Sequence, residues 1–324
     1  MAFSNLIVRM CNRFFLNEIK QKQVHRPLLY FILTCTMKKS FLFLLLLLLG
    51  LTTITHAQTT VFSPAGTFTD GIEGPVCDNF ENVFIVNYQK QGTIGKVDMY
   101  GHASLFVTLP DSAIGNGLVF DNQGNMLVAD YVGHRIWSID TASKVVSLYI
   151  KVSRMNQPND ICIAKNGRVY ASDPSWAKGT GQLWLINKDK VAMLLEHEMG
   201  TSNGLALSPD GNYLYVNESV QRRVWKYTLT QQGKVAKKEV LITFPEYGMD
   251  GMKCDVDGNL YIARYGAGVV AVVSPKGKVL KTIRLKGQKP TNIAFGGKDW
   301  KTVFVTIQDD GSVETFINDR AGAR

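Results

Sequence analysis

Cysteine is scarce in this chain of 324 residues: there are five, and beyond residue 57 only Cys77, Cys162 and Cys254. Each of the three sits in a different copy of a repeated segment, at equivalent or adjacent offsets that point into separate packing layers. Buried free thiols are therefore expected rather than a disulfide framework, with no metal or nucleophilic role. Basic tracts are also missing. The net charge of +9 comes from 36 basic and 27 acidic residues, but positions 1–57 hold seven of the bases and one acid, Glu18. The remaining 29 bases and 26 acids leave no basic patch for nucleic acid or an anionic membrane surface. After residue 57 there is no low-complexity stretch, no linker and no amphipathic helix strong enough to suggest a second domain. The composition, 45% hydrophobic and 19% charged, is that of a folded chain able to bury a large core.

The excess of positive charge marks a targeting segment. Met37-Lys38-Lys39 opens a basic region, Phe41 to Leu51 is nearly pure Phe and Leu, and Thr55-His56-Ala57 places small residues ahead of a cut before Gln58. The apolar run is short for a bilayer span, so residues 37–57 read as a signal peptide, with a membrane anchor as the alternative. A periplasmic or secreted product without a stable membrane anchor is expected. The residue directly after the cut is Gln58 rather than a cysteine, which argues against a lipoprotein. A signal peptide starts at its own methionine, so residues 1–36 read as an upstream extension; a cytoplasmic tail is the alternative, and N-terminal sequencing of the secreted product decides.

What the chain has in abundance is one repeated design. Aligned copies read EGPVCDNFENVFIVN from Glu73, NGLVFDNQGNMLVAD from Asn116, NDICIAKNGRVYASD from Asn159 and NGLALSPDGNYLYVN from Asn203. Two more are DGMKCDVDGNLYIAR from Asp250 and the looser NIAFGGKDWKTVFVT from Asn292. The leading residues are 43, 43, 44, 47 and 42 positions apart, a period that belongs to propeller blades. Gly124, Gly167, Gly211 and Gly258 supply hairpin turns, and Phe84, Leu127, Tyr170, Leu214, Tyr261 and Val303 form the inward face of the second strand. Two further strand-like runs follow each pair. The expected fold is all-β, a six-bladed β-propeller of four strands per blade over residues 58–324. Thr59 to Phe68 supplies the strand that the last copy lacks and closes the ring.

In such a ring the first residue of each innermost strand lies near the central axis. Glu73, Asn116, Asn159, Asn203, Asp250 and Asn292 would then form a ring of oxygens, costly to bury unless something satisfies them. Two carboxylates with amide oxygens suit a hard divalent cation, calcium first, with magnesium, manganese and zinc as alternatives. No His or Cys falls in the column, which disfavours a dedicated zinc or copper site. For any single Asn, capping of a strand end is the simpler reading; six aligned positions, two of them acidic, favour the cation.

The motifs IEGPVCD, QPNDICIAKNGRVYASDP, SNGLALSPDGNYLYV, MDGMKCDVDGNLYIA and PTNIAFGGKDWKTVFVT together resemble the senescence marker protein (regucalcin) and gluconolactonase family of six-bladed propellers. That resemblance implies metal ligands at Glu73, Asn203 and Asp250, with Asn159 a ligand or substrate contact. The paraoxonase-like and diisopropyl-fluorophosphatase-like propellers are similar in using Glu, Asn, Asn and Asp around calcium. Gln157 stands where the regucalcin branch has Arg, which bears on substrate identity more than on the metal. Cys77 stands where the family often has Trp.

Loops between second and third strands open on the same face as the leading residues. They offer Tyr131, His134, Trp176 and Tyr265, with Asn159 and Gln157, as a substrate wall suited to a small polar ring such as a lactone or sugar acid. Tyr88 and Arg222 read as packing or solvated loop residues. The expected activity is a metal-dependent hydrolase of small lactones, with Asp250 orienting or deprotonating the attacking water. Alternatives are a phosphotriesterase or arylesterase on the same scaffold, and a non-catalytic metal-stabilised binding propeller.

Overall fold

The computed structural model describes residues 59–324. The signal peptide and upstream extension expected over residues 1–57 lie outside the described residues. Among the described residues no helix is long and apolar enough to cross a membrane.

Six four-stranded antiparallel sheets form the blades. Their innermost strands are Phe68–Cys77, Gly115–Phe120, Ile161–Ile163, Ser202–Leu207, Met252–Cys254 and Pro290–Gly296. The ring closes as expected, with Thr60–Ser63 pairing antiparallel to Ser312–Ile317 as the outer strand of the last blade. Phe68, expected in that closing strand, instead begins the innermost strand of the first blade.

Local backbone chemistry follows the repeat. The four hairpin glycines adopt φ of 84°, 83°, 72° and 82°. The two copies without glycine keep the same left-handed turn, at Glu81 (φ 63°) and Trp300 (φ 58°). The sheet geometry thus imposes the turn, and glycine only lowers its cost. Asp255 accepts from the backbone N–H groups of Asp257 and Asn259, which makes it turn chemistry at the hairpin.

Blades share no strand ladder with one another, only single hydrogen bonds such as that from the Gly117 N–H to the Asn159 carbonyl, so burial carries much of the contact between them. Six apolar clusters do this, each joining two adjacent blades; one, for example, combines Phe84, Val86 and Ile94 with Leu118, Val128 and Trp137. Fully burying one such side chain contributes about 1.5–3 kcal/mol. The cysteines fall in different clusters and are free: Cys77 between the last and first blades, Cys254 between the fourth and fifth, Cys162 against the third and fourth.

Candidate metal centre

The leading residues meet on the axis because glycine follows most of them. A Cβ on Gly74 would stand 1.9 Å from the Asn116 carbonyl oxygen, and one on Gly117 would stand 2.8 Å from that of Asn159. A Cβ on Gly204 would stand 2.3 Å from the Asp250 carbonyl oxygen, and one on Gly251 would fall on the Asn292 amide. The motifs EGP, NGL and DGM therefore encode contact between neighbouring blades. Gly204→Ala is expected to destabilise the fold by about 1–3 kcal/mol, because backbone rather than a flexible side chain has to move. Urea unfolding with the metal-ion concentration fixed measures this; an unchanged midpoint would contradict the packing of the ring.

Five of the six leading residues look into the ring with an unsatisfied oxygen or a carboxylate. The amide oxygens of Asn116, Asn159 and Asn203 are buried and accept no hydrogen bond. The Asn203 amide is aimed by its nitrogen, which donates to the Ser219 hydroxyl at 3.0 Å, and that hydroxyl donates to the Met249 carbonyl. Glu73 and Asp250 lie within hydrogen-bonding reach of one another. Burial first, and the nearby Asp160 charge second, push the Glu73 carboxyl up to about 7. Burial and then the Glu73 charge hold Asp250 well above the ordinary carboxylate range. Two carboxyls and three orphaned amide oxygens form an all-oxygen set that a hard divalent cation satisfies.

Asn292 differs from the expectation of a ring of six oxygens. Its oxygen accepts from the Ile293 N–H at 2.8 Å and its nitrogen donates to Glu73 at 2.8 Å, so it orients Glu73 instead of offering an oxygen.

The expected substrate residues line two walls. On one, the Tyr131 hydroxyl is in hydrogen-bonding reach of Gln157 and feels the charge of Asp250, while the Gln157 oxygen accepts from the Trp176 N–H at 3.3 Å. On the other, Tyr265 donates to Gln308 and also feels Asp250. Trp176 begins a short 3-10 turn, Trp176–Lys178, and is 37% exposed. His134 is exposed in a left-handed turn. Tyr88 packs edge-on against Phe68, in keeping with a structural role.

A second column, unmarked by any shared residue type, stands behind the first. Every repeat window ends on a polar residue, and Asn87, Asp130, Asp173, Asn217, Arg264 and Thr306 are all buried. Most of them grip the segment just ahead of their own blade's leading residue. Asp173 accepts from the N–H groups of Asn156 and Gln157, and Arg264 donates to the carbonyls of Glu246, Tyr247 and Gly248. Asn217 reaches across and donates to the Asp250 carbonyl at 2.6 Å. The signal was present as a run of buried-strand ends that were polar without exception.

A cavity of about 740 Å³ opens at the other mouth of the channel, lined by Phe84, Phe120, Cys162, Leu207, Lys253 and Trp300, and it contains none of the ring residues. Its carboxylates Asp78, Asp121 and Asp210 are turned into their own hairpins.

Residues 71–309 match the SMP-30/Gluconolactonase/LRE-like region, and the chain belongs to that family. It is 30% identical over 216 residues to a gluconolactonase of Zymomonas mobilis, covering 59% of this chain and 60% of that one. It is 27% identical over 286 residues to the diisopropyl-fluorophosphatase of Loligo vulgaris, covering 78% and 91%. For other curated relatives it matches, the chain spans 52% to 61% of their length. Among solved structures it shares the fold of a calcium-binding protein, regucalcin, from Agrobacterium tumefaciens, with a TM-score of 0.71, 22% identity and coverage of 81% and 94%.

Proposed function

We propose that this chain is a divalent-cation-dependent hydrolase of small lactones, with calcium the favoured ion and a periplasmic or secreted product. The observation that carries this reading is the set of three orphaned amide oxygens beside two adjacent buried carboxyls. Glu73, Asn159, Asn203 and Asp250 would hold the ion, with Asn116 supplying a further oxygen. When bound, such an ion polarises a carbonyl and stabilises the charge that develops on its oxygen.

The chain's own residues do the rest. Asn292 and the Gly74 N–H hold Glu73 in place, and Ser219 fixes Asn203. Asp250 orients water and takes up its proton, a role open to a carboxylate at the end of the channel that faces both tyrosines. Tyr131, Gln157 and Trp176 on one wall and Tyr265 on the other bind the hydroxyls and ring of the substrate. Gln157 is a neutral amide, so it favours neutral sugar lactones over anionic ones. His134, on the rim, meets the part of the substrate that projects toward solvent.

A second reading is hydrolysis of phosphotriesters, which the 91% coverage of the Loligo vulgaris diisopropyl-fluorophosphatase favours. A chelator-reversed hydrolysis assay over aldonolactones, aryl esters and fluorophosphates separates the two. Calcium-restored turnover of lactones well above that of the others is expected. Hydrolysis insensitive to chelation, or none of any class, would overturn the proposal.

A further inference from the structure

The third repeat departs from its neighbours one position after its leading residue. Copies one, two, four and five have Gly74, Gly117, Gly204 and Gly251 there, whereas copy three has Asp160. Gly117 makes the room, since a Cβ on it would stand 2.9 Å from the Asp160 Oδ1 atom. Asp160 is 1% exposed, accepts from the N–H groups of Ile161 at 3.0 Å and Leu205 at 3.3 Å, and acts electrostatically on both Glu73 and Asp250. The channel therefore contains three carboxyl groups, not two. The cation nearest to the third is Lys253, whose Nζ lies 3.6 Å from Asp160 Oδ2. Lys253 follows Asp250 by three residues, reaches the channel from the side of the opposite cavity, and is flanked by the thiols of Cys162 and Cys254.

We propose that Lys253 is a built-in counter-cation of the channel: its ammonium neutralises Asp160, leaves the ring with the two negative charges that one divalent ion balances, and sets how tightly that ion is held. The inference rests on the metal-site reading above. A buried carboxylate with one neighbouring ammonium is costly to leave unpaired. The pair's two members act on the ion with opposite signs, which gives the proposal a signature that packing alone does not share.

Calcium binding to the purified chain is measured by calorimetry at fixed ionic strength and neutral pH, for wild type, Lys253→Gln, Asp160→Asn and the double variant. Gln retains a donor for Asp160, and Asn retains an acceptor for the Ile161 N–H, giving up only the longer bond from Leu205. One ion per wild-type chain is expected. Lys253→Gln should bind calcium more tightly by roughly fivefold or more, Asp160→Asn more weakly by a similar factor, and the double variant close to wild type. If Lys253→Gln does not fold, Lys253→Met serves in its place, and Asp160→Asn carries the opposite arm on its own. Any pattern other than opposed signs, such as weakening in both or no change in either, overturns the proposal. A wild-type chain that takes up no ion would instead overturn the metal site beneath it.

Discussion

Asp250→Asn is expected to lower kcat for lactone hydrolysis by roughly three orders of magnitude while leaving the fold intact, the scale expected when a general base and a charged ligand are lost together. Asn keeps the shape of the side chain and can still face Glu73. What it removes is the proton acceptor and half of the ring's negative charge. Circular dichroism and the melting temperature without added ion should match or exceed those of wild type, because the carboxyl disfavoured by burial and then by Glu73 is gone. Assays at rising calcium divide the effect. Recovery at saturating ion would assign Asp250 to ligation alone, and wild-type turnover at every concentration would remove it from the mechanism.

Stripped of divalent ions, the chain should lose stability as pH rises from about 5 to about 8, opposite to the usual behaviour of carboxylates in ion pairs. Glu73 titrates near 7 when folded, against an ordinary value of 4.5. Between those values the folded chain holds a proton that the unfolded chain has released, so each step up in pH favours unfolding. The shift corresponds to about 3 kcal/mol, or a fall in Tm of roughly 5–10 °C for a domain of this size. Asp250 and the buried Asp173, also raised by burial, act in the same direction. Asp98, Asp140 and Asp210 are lowered by hydrogen bonds in their turns, and their stabilising effect is already complete by pH 5. Calcium should remove the slope by replacing the protons, so its stabilising effect grows with pH. Melting curves at pH 5 and 8, with chelator and with calcium, test this; a chelated Tm that is flat or rises would contradict the buried carboxyl pair.

The fold was legible because a hairpin repeated six times leaves three independent marks: the turn glycine, the inward apolar column and the leading polar residue. The closing strand could be inferred from the strand missing at the other end. Convergence of the six leading residues follows from the repeat alone, whereas the choice of Glu73, Asn159, Asn203 and Asp250 among them rests on the family resemblance. The orientation of each amide follows from neither, because it depends on a partner from another segment. Asn292 looked like its neighbours, yet Ile293 takes its oxygen, and Ser219 aims Asn203 from a loop with no repeat signature. Asp160 was visible as an aspartate in a column of glycines, but its partner Lys253 lies 93 positions away in another blade. Only the three-dimensional arrangement joins them.

The seam where the first and last blades meet gives the ring a history as well as a shape. Thr59 donates to Glu314 across 255 residues, and Asn292 holds Glu73 across 219. Until the last blade has emerged, the first has no neighbour on one side, and Glu73 has no amide to orient it. The ring site is thus completed by the same event that joins the first and last blades. An ion held by Glu73 and Asp250 would tie the first blade to the fifth beside that seam, and its release would be a step on the path to unfolding. Durability would be a matter of rates as much as of equilibrium.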